Sequence, residues 1–114
     1  MIENMGIGID IVPVNQFRQK QYSKNIAFYQ KIFSSNEIDY CLKFNDPYPH
    51  FAGKFAIKEA VLKSISEKIP LLDIETSHLS SKPLIELKQK PYKFLASISN
   101  EMDIAVGVVI SFKI

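Results

Sequence analysis

The segment that most restricts what this chain can become is Met5-Gly6-Ile7-Gly8-Ile9-Asp10-Ile11-Val12. Ile7, Ile9 and Ile11 alternate with Gly6, Gly8 and Asp10, the period-two pattern of a strand whose successive side chains point to opposite faces. One face is β-branched and apolar; the other carries two hydrogens and a carboxylate. Pro13 has no amide proton for a sheet ladder, so it closes the strand and opens a helix. Asp10 is the oddity of the segment. A lone carboxylate taken out of water needs a partner, and a metal ion, a cationic side chain or backbone N–H groups each serve. The flanking glycines leave room for another group to come close. By itself this pattern leaves a structural partner and a ligand role both open.

Downstream, residues 14–31 are polar with scattered aromatics and read as helix with a break near Ser23. Ser34 and Glu37 have capping-box spacing, which predicts a short helix running to about Phe44. Asn45-Asp46-Pro47-Tyr48-Pro49 is turn chemistry. The strongest helix is expected from Phe51 to about Ser66, where Phe51, Phe55, Leu62 and Ile65 recur at helical spacing, with Pro70 ending it. Short β-type runs follow at 71–75, 84–87, 94–99 and 104–112; the last holds Val106, Val108, Val109 and Ile110, typical of a buried strand. Strand, helices, then strands predict an α+β domain, a small antiparallel sheet packed against a long central helix and shorter helices. With 114 residues, the whole chain, 1–114, is expected to be a single domain. So small a domain buries a modest share of its surface, and association of subunits would add to its stability.

Cys41 is the only cysteine, which excludes an intrachain disulfide and a thiolate metal cluster. No basic segment leads into an apolar run at the N-terminus, and no stretch approaches the length that spans a bilayer. A soluble, cytoplasmic protein is expected. The net charge of +2 gives no argument for nucleic-acid binding. Arg18, Lys20, Lys24 and Lys31 are either a solvated face or a docking surface for an acidic partner.

Phe55, Glu59 and Lys63 stand at i, i+4 and i+8 and form one stripe of the central helix, with Lys54 and Lys58 alongside. Alone, Glu59 and Lys63 are an ordinary exposed helix pair. Together with Asp10, however, Glu59 supplies the paired carboxylates that suit magnesium, an ion that keeps water and takes phosphate oxygens. Lysines nearby would neutralise those phosphates. Gly6-Ile7-Gly8 lacks the third glycine of a dinucleotide fingerprint. His50 and His78 have no ligand-spaced neighbours and are expected at the surface or in structural roles, while Ser97 and Ser99 have no evident catalytic base.

Two motifs resemble the holo-acyl-carrier-protein synthases, small members of the 4'-phosphopantetheinyl transferase superfamily. Gly6-Ile7-Gly8-Ile9-Asp10-Ile11-Val12 is similar to the family's opening strand. Phe51-Ala52-Gly53-Lys54-Phe55-Ala56-Ile57-Lys58-Glu59-Ala60 is similar to its central helix, with Lys63 at the position of a further lysine. Weaker likeness extends through Lys82-Pro83 and Ser97-Ile98-Ser99. The resemblance implies a magnesium-dependent enzyme of lipid metabolism that moves phosphopantetheine from coenzyme A to a serine of an acyl-carrier protein, releasing 3',5'-ADP. It implies magnesium on Asp10 and Glu59, charge neutralisation by Lys63, and coenzyme A contacts from Lys54, Lys58, Lys63, Ser99 and Asn100. It further implies a homotrimer with active sites between subunits. The chain departs from the family pattern in three places. Asn100 stands where a histidine is usual, Ser66-Glu67-Lys68-Ile69 replaces a glycine-containing turn, and Gln16 occupies a position often basic, with Arg18 close by. These departures motivate an alternative, a non-catalytic relative that binds a carrier protein or nucleotide without turnover.

Overall fold

A computed structural model describes residues 2–114. Strand β1 spans Met5–Pro13 and is followed by short helices α1 (Asn15–Arg18), α2 (Ile26–Gln30) and α3 (Ser35–Leu42) and the long helix α4 (Tyr48–Ser64). Strands β2 (Ile74–Leu79), β3 (Lys82–Leu87), β4 (Tyr92–Glu101) and β5 (Ile104–Lys113) complete the chain. β1, β5 and β4 form an antiparallel sheet in that order, and β2 and β3 form a separate hairpin. The expected α+β architecture is therefore present. Among the described residues no helix is long and apolar enough to cross a membrane.

Several boundaries differ from expectation for identifiable reasons. The helix expected over 14–31 does break near Ser23, at a 3-10 turn of Tyr22–Lys24, but the pieces on either side are single-turn helices only. Its aromatic residues point inward at irregular spacing, and Phe17 and Tyr29 are buried. α4 begins at Tyr48, because Pro49 sits in the first turn, where a missing amide proton costs nothing. The strand expected at 71–75 is a 3-10 turn, Leu71–Asp73, leading into β2. α3 starts as expected: the Ser34 hydroxyl accepts from the Glu37 amide, and the Glu37 carboxylate accepts from the Ser34 amide.

α4 is enclosed on more than one side. Residues on several sides of it are buried, including Phe51, Ala52, Ala56, Ile57, Ala60 and Val61. One side lies on the sheet so closely that a Cβ at Gly8 would overlap the carbonyl oxygen of Ala60, and one at Gly6 that of Ser64. The space left by the glycines is thus filled by helix backbone. A second side meets the aromatic cluster of Phe17, Tyr29, Phe33 and Phe51, with Tyr29 and Phe51 ring centroids 4.6 Å apart. The third side faces α3 and β2 across a buried ion pair, Lys58 Nζ to Glu37 Oε1 at 2.7 Å.

Because the glycine face of β1 takes the helix, the isoleucine face is left to solvent in the single chain. Ile7, Ile9 and Ile11 are 69%, 54% and 61% exposed. They register against Ile110, Val108 and Val106 of β5, and Leu95 of β4 continues the row opposite Ile110. β5 is accordingly buried on one face only, through Ala105, Val109 and Ser111, rather than throughout.

Candidate active site

Asp10 lies on the helix-facing side of β1, opposite Gly107 of β5. Glu59 and Lys63 stand one turn apart on α4. The contact of helix and strand brings the three together: Lys63 Nζ donates to Asp10 Oδ1 and to the Ile9 carbonyl oxygen, both at 3.0 Å. The Asp10 side chain is mostly buried, whereas that of Lys63 is more than half exposed. Glu59 is half-buried. Burial, and next the negative charge of Asp10, hold its carboxyl above the usual range, with Lys63 opposing them. A carboxyl whose ionisation is made costlier by a neighbouring carboxylate, beside one ammonium, makes a site that gains by taking a further cation. Phe55, the third member of the stripe, packs edge-on against Phe17 at 5.5 Å and anchors this side of the helix.

Among the described residues no group of three or more His, Cys, Asp or Glu side chains converges. A donor set of two carboxylates fits a magnesium-type ion, which completes its shell with water and substrate phosphate. It does not fit structural zinc, which takes four nitrogen and sulfur ligands, and it offers calcium too few oxygens.

The other residues singled out in the sequence do not join this cluster. Lys58 is fully buried, and its three ammonium protons go to Glu37 Oε1 at 2.7 Å, the Ile32 carbonyl at 2.7 Å and the Leu71 carbonyl at 3.0 Å. Glu37 is equally occupied, accepting from the Ser34 amide, Lys58 and both the amide and hydroxyl of Thr76. This corrects the expectation for Lys58: it joins α4 to α3 and β2 and has no proton or surface left for a nucleotide phosphate. Ser99 is exposed and points away from α4, on the strand face shared with Leu95. Arg18 pairs with Asp46 at 2.7 Å, and Lys20 lies 4.4 Å from the Phe28 ring centre.

Lys54 and Asn100 meet elsewhere. Lys54 and Lys63 are roughly two and a half turns apart along α4, hence on opposite sides of it. Lys54 lines an open cleft of about 220 Å³ together with Tyr40, His50, Gly53, His78 and Asn100. Its ammonium donates to Thr76 Oγ1 at 3.0 Å and lies 4.7 Å from the Tyr40 ring centre. The His78 ring stacks on Tyr40, with centroids 4.7 Å apart and planes at 9°, and His50 stacks on Phe44 at 3.6 Å and 14°. His78 Nδ1 is shielded from solvent without a hydrogen-bond partner among the described residues. The two histidines, expected at the surface or in structural roles, share one cleft with a lysine. Their separation in sequence concealed this, since only the β2–α3–α4 packing brings residues 40, 50 and 78 together.

Residues 6–109 match the family model of the 4'-phosphopantetheinyl transferase superfamily. The chain is 34% identical over 113 residues to a holo-[acyl-carrier-protein] synthase of Thermodesulfovibrio yellowstonii, covering 96% of this chain and 98% of that protein. It is also 34% identical to one from Chlamydia caviae, covering 92% and 94% of the two. Among solved structures, the Helicobacter pylori holo-[acyl-carrier-protein] synthase in complex with coenzyme A superposes with a TM-score of 0.78 at 30% identity, covering 92% of this chain and 98% of that one. The Plasmodium yoelii holo-ACP synthase gives 0.79 at 30% identity, covering 96% and 94%.

Proposed function

The chain belongs to the 4'-phosphopantetheinyl transferase superfamily, and from that membership we propose that it transfers 4'-phosphopantetheine from coenzyme A to a serine of an apo-acyl-carrier protein, releasing 3',5'-ADP. The observation that carries this reading is the convergence of Asp10, Glu59 and Lys63 where helix and strand touch. In the reaction the serine hydroxyl gives up its proton to water, and its oxygen forms a bond to the phosphorus that bears pantetheine. The bond from that phosphorus to the 3',5'-ADP oxygen breaks, and the nucleotide leaves with its electrons. Such displacement asks the protein mainly for alignment and for compensation of charge on the phosphoryl oxygens. Lys63, exposed and anchored through Asp10 and the Ile9 carbonyl, supplies a positive charge there. Asp10 and Glu59 would hold magnesium, which supplies charge neutralisation on the diphosphate. A protein that only bound its partner would gain nothing from two crowded carboxylates, which weighs against a non-catalytic relative.

The assembly is part of the reading. Lys54 and Asn100 contact coenzyme A from a cleft on the far side of α4, so one ligand reaches both that cleft and the Asp10 site only across two copies of the chain. We take the interface to be head-to-tail, an arrangement that joins two different patches and closes into a ring. A ring of three is the smallest such assembly, and the exposed isoleucine face of the sheet supplies its apolar contact. The test is mass spectrometry of an apo-acyl-carrier protein incubated with coenzyme A and this protein, with and without a magnesium chelator. A gain of one phosphopantetheine that chelation abolishes is expected. An unmodified carrier under both conditions would refute the activity, and transfer indifferent to the chelator would refute the metal.

A further inference from the structure

The cleft around Lys54 holds more chemistry than a single lysine. Three rings line it, Tyr40, His50 and His78: His78 stacks on Tyr40, Tyr40 stands 6.2 Å from His50, and His50 stacks in turn on Phe44 outside the lining. Stacking fixes both imidazoles with little freedom to turn away. The Lys54 ammonium sits behind them, and among the described residues no carboxylate lies within ion-pair distance of it. Asn100, whose Nδ2 lies 3.7 Å from where a Cβ on Gly53 would be, contributes an amide from the opposite wall. Apart from the Asn100 carbonyl, the polar groups named here donate or can become donors. The cleft is therefore an anion site whose charge depends on protons.

We propose that coenzyme A binding is coupled to protonation of His78 and His50, which together with Lys54 and Asn100 seat the ribose phosphate monoester. This rests on the transferase reading. The diphosphate belongs with the Asp10 site in that reading, so the monoester is the phosphate left for a cleft on the far side of the helix. Without ligand both histidines are held toward the neutral form, chiefly by burial. Lys54 adds to this at both rings and His50 adds to it at His78, while Asp46 opposes it at His50. Facing them from α3 and its C-terminal end are Tyr40 and Phe44; Glu75 on β2 is turned to the Ser34 hydroxyl. A doubly negative phosphate entering the cleft reverses the balance, and the rings take up protons on binding.

The experiment is calorimetry of the full chain with coenzyme A in buffers of different ionisation enthalpy, from pH 8 to pH 6, repeated with 3'-dephospho-coenzyme A. Net proton uptake is expected with coenzyme A, its affinity rising by up to about tenfold per pH unit for each proton taken up. The dephospho ligand should show neither effect. The monoester itself titrates in this range, and that contribution persists in an H50Q/H78Q variant, so the difference between the two proteins isolates the imidazoles. Should the variant fold poorly, NMR titration of the wild-type His50 and His78 ring resonances with and without 3',5'-ADP decides the matter, and both midpoints should rise with ligand. Coenzyme A that binds with no proton uptake beyond that of the variant, or ring midpoints unmoved by ligand, would overturn the coupling while leaving the transferase reading intact. Failure of coenzyme A to bind at any pH would remove both.

Discussion

At the scale of the residue, Glu59 shows how function opposes stability. Its carboxyl is held above the usual range by burial and by Asp10. At neutral pH its ionised form therefore costs the folded state something that the unfolded chain escapes. As pH falls through the raised value toward the ordinary 4.5, the native state takes up the proton first and the cost disappears. Glu59→Gln should accordingly melt at a higher temperature than wild type at pH 7–8 and at the same temperature near pH 4, while losing transfer; a lower melting temperature at neutral pH would contradict the crowding of the two acids. A second residue-level expectation concerns the β2–β3 turn. Ser80 and Ser81 adopt φ of 51° and 67°, the left-handed pair of a two-residue hairpin that glycine accommodates best. Ser81→Gly should stabilise the domain by up to about 1 kcal/mol, read by denaturant midpoint at unchanged slope.

At the scale of the element, α4 decides most of the architecture and was only partly legible in advance. Its existence followed from the Phe51–Phe55 spacing and the Pro70 stop, and the Ser34 cap of α3 could be read directly. What surrounds α4 could not be read. Lys54 and Lys58 read in one dimension as lysines for substrate phosphates, yet both are buried, because Glu37 and Thr76 come from segments 21 and 18 residues away in sequence from Lys58. The glycines of β1 signalled the close approach of another group, and the fold shows that group to be the helix backbone. The Asp10–Glu59–Lys63 cluster was legible because the helical stripe and the odd carboxylate were each visible, although their meeting needed the fold. The buried pair gives a clear prediction. Lys58→Met leaves the buried Glu37 short of its ammonium partner, a loss of about 3–5 kcal/mol, against a total stability of about 5–15 kcal/mol for a typical domain. A large fall in melting temperature is expected, partly recovered by adding Glu37→Leu. A Lys58→Met variant that is fully stable but weak in coenzyme A binding would restore the nucleotide role.

At the scale of the whole molecule, the proposed ring gives one face and one cleft a common role. The sheet exposes Ile7, Ile9, Ile11 and Leu95 together, a contiguous apolar surface of the kind that marks association. Ile7→Glu should dissociate the proposed ring to folded monomers, read by light scattering after gel filtration, and should lower transfer because each site then lacks its second half. Monomeric wild-type protein with full activity would contradict the shared site. The claim on which all else depends is that Asp10 and Glu59 act as one pair on the substrate diphosphate. Its most direct test is the initial rate of carrier-protein modification by Asp10→Asn, a nearly isosteric change, at saturating magnesium and coenzyme A. The rate should fall by about 10²–10³-fold in a protein that melts as cooperatively as wild type. An Asp10→Asn enzyme that modifies the carrier at the wild-type rate would contradict it.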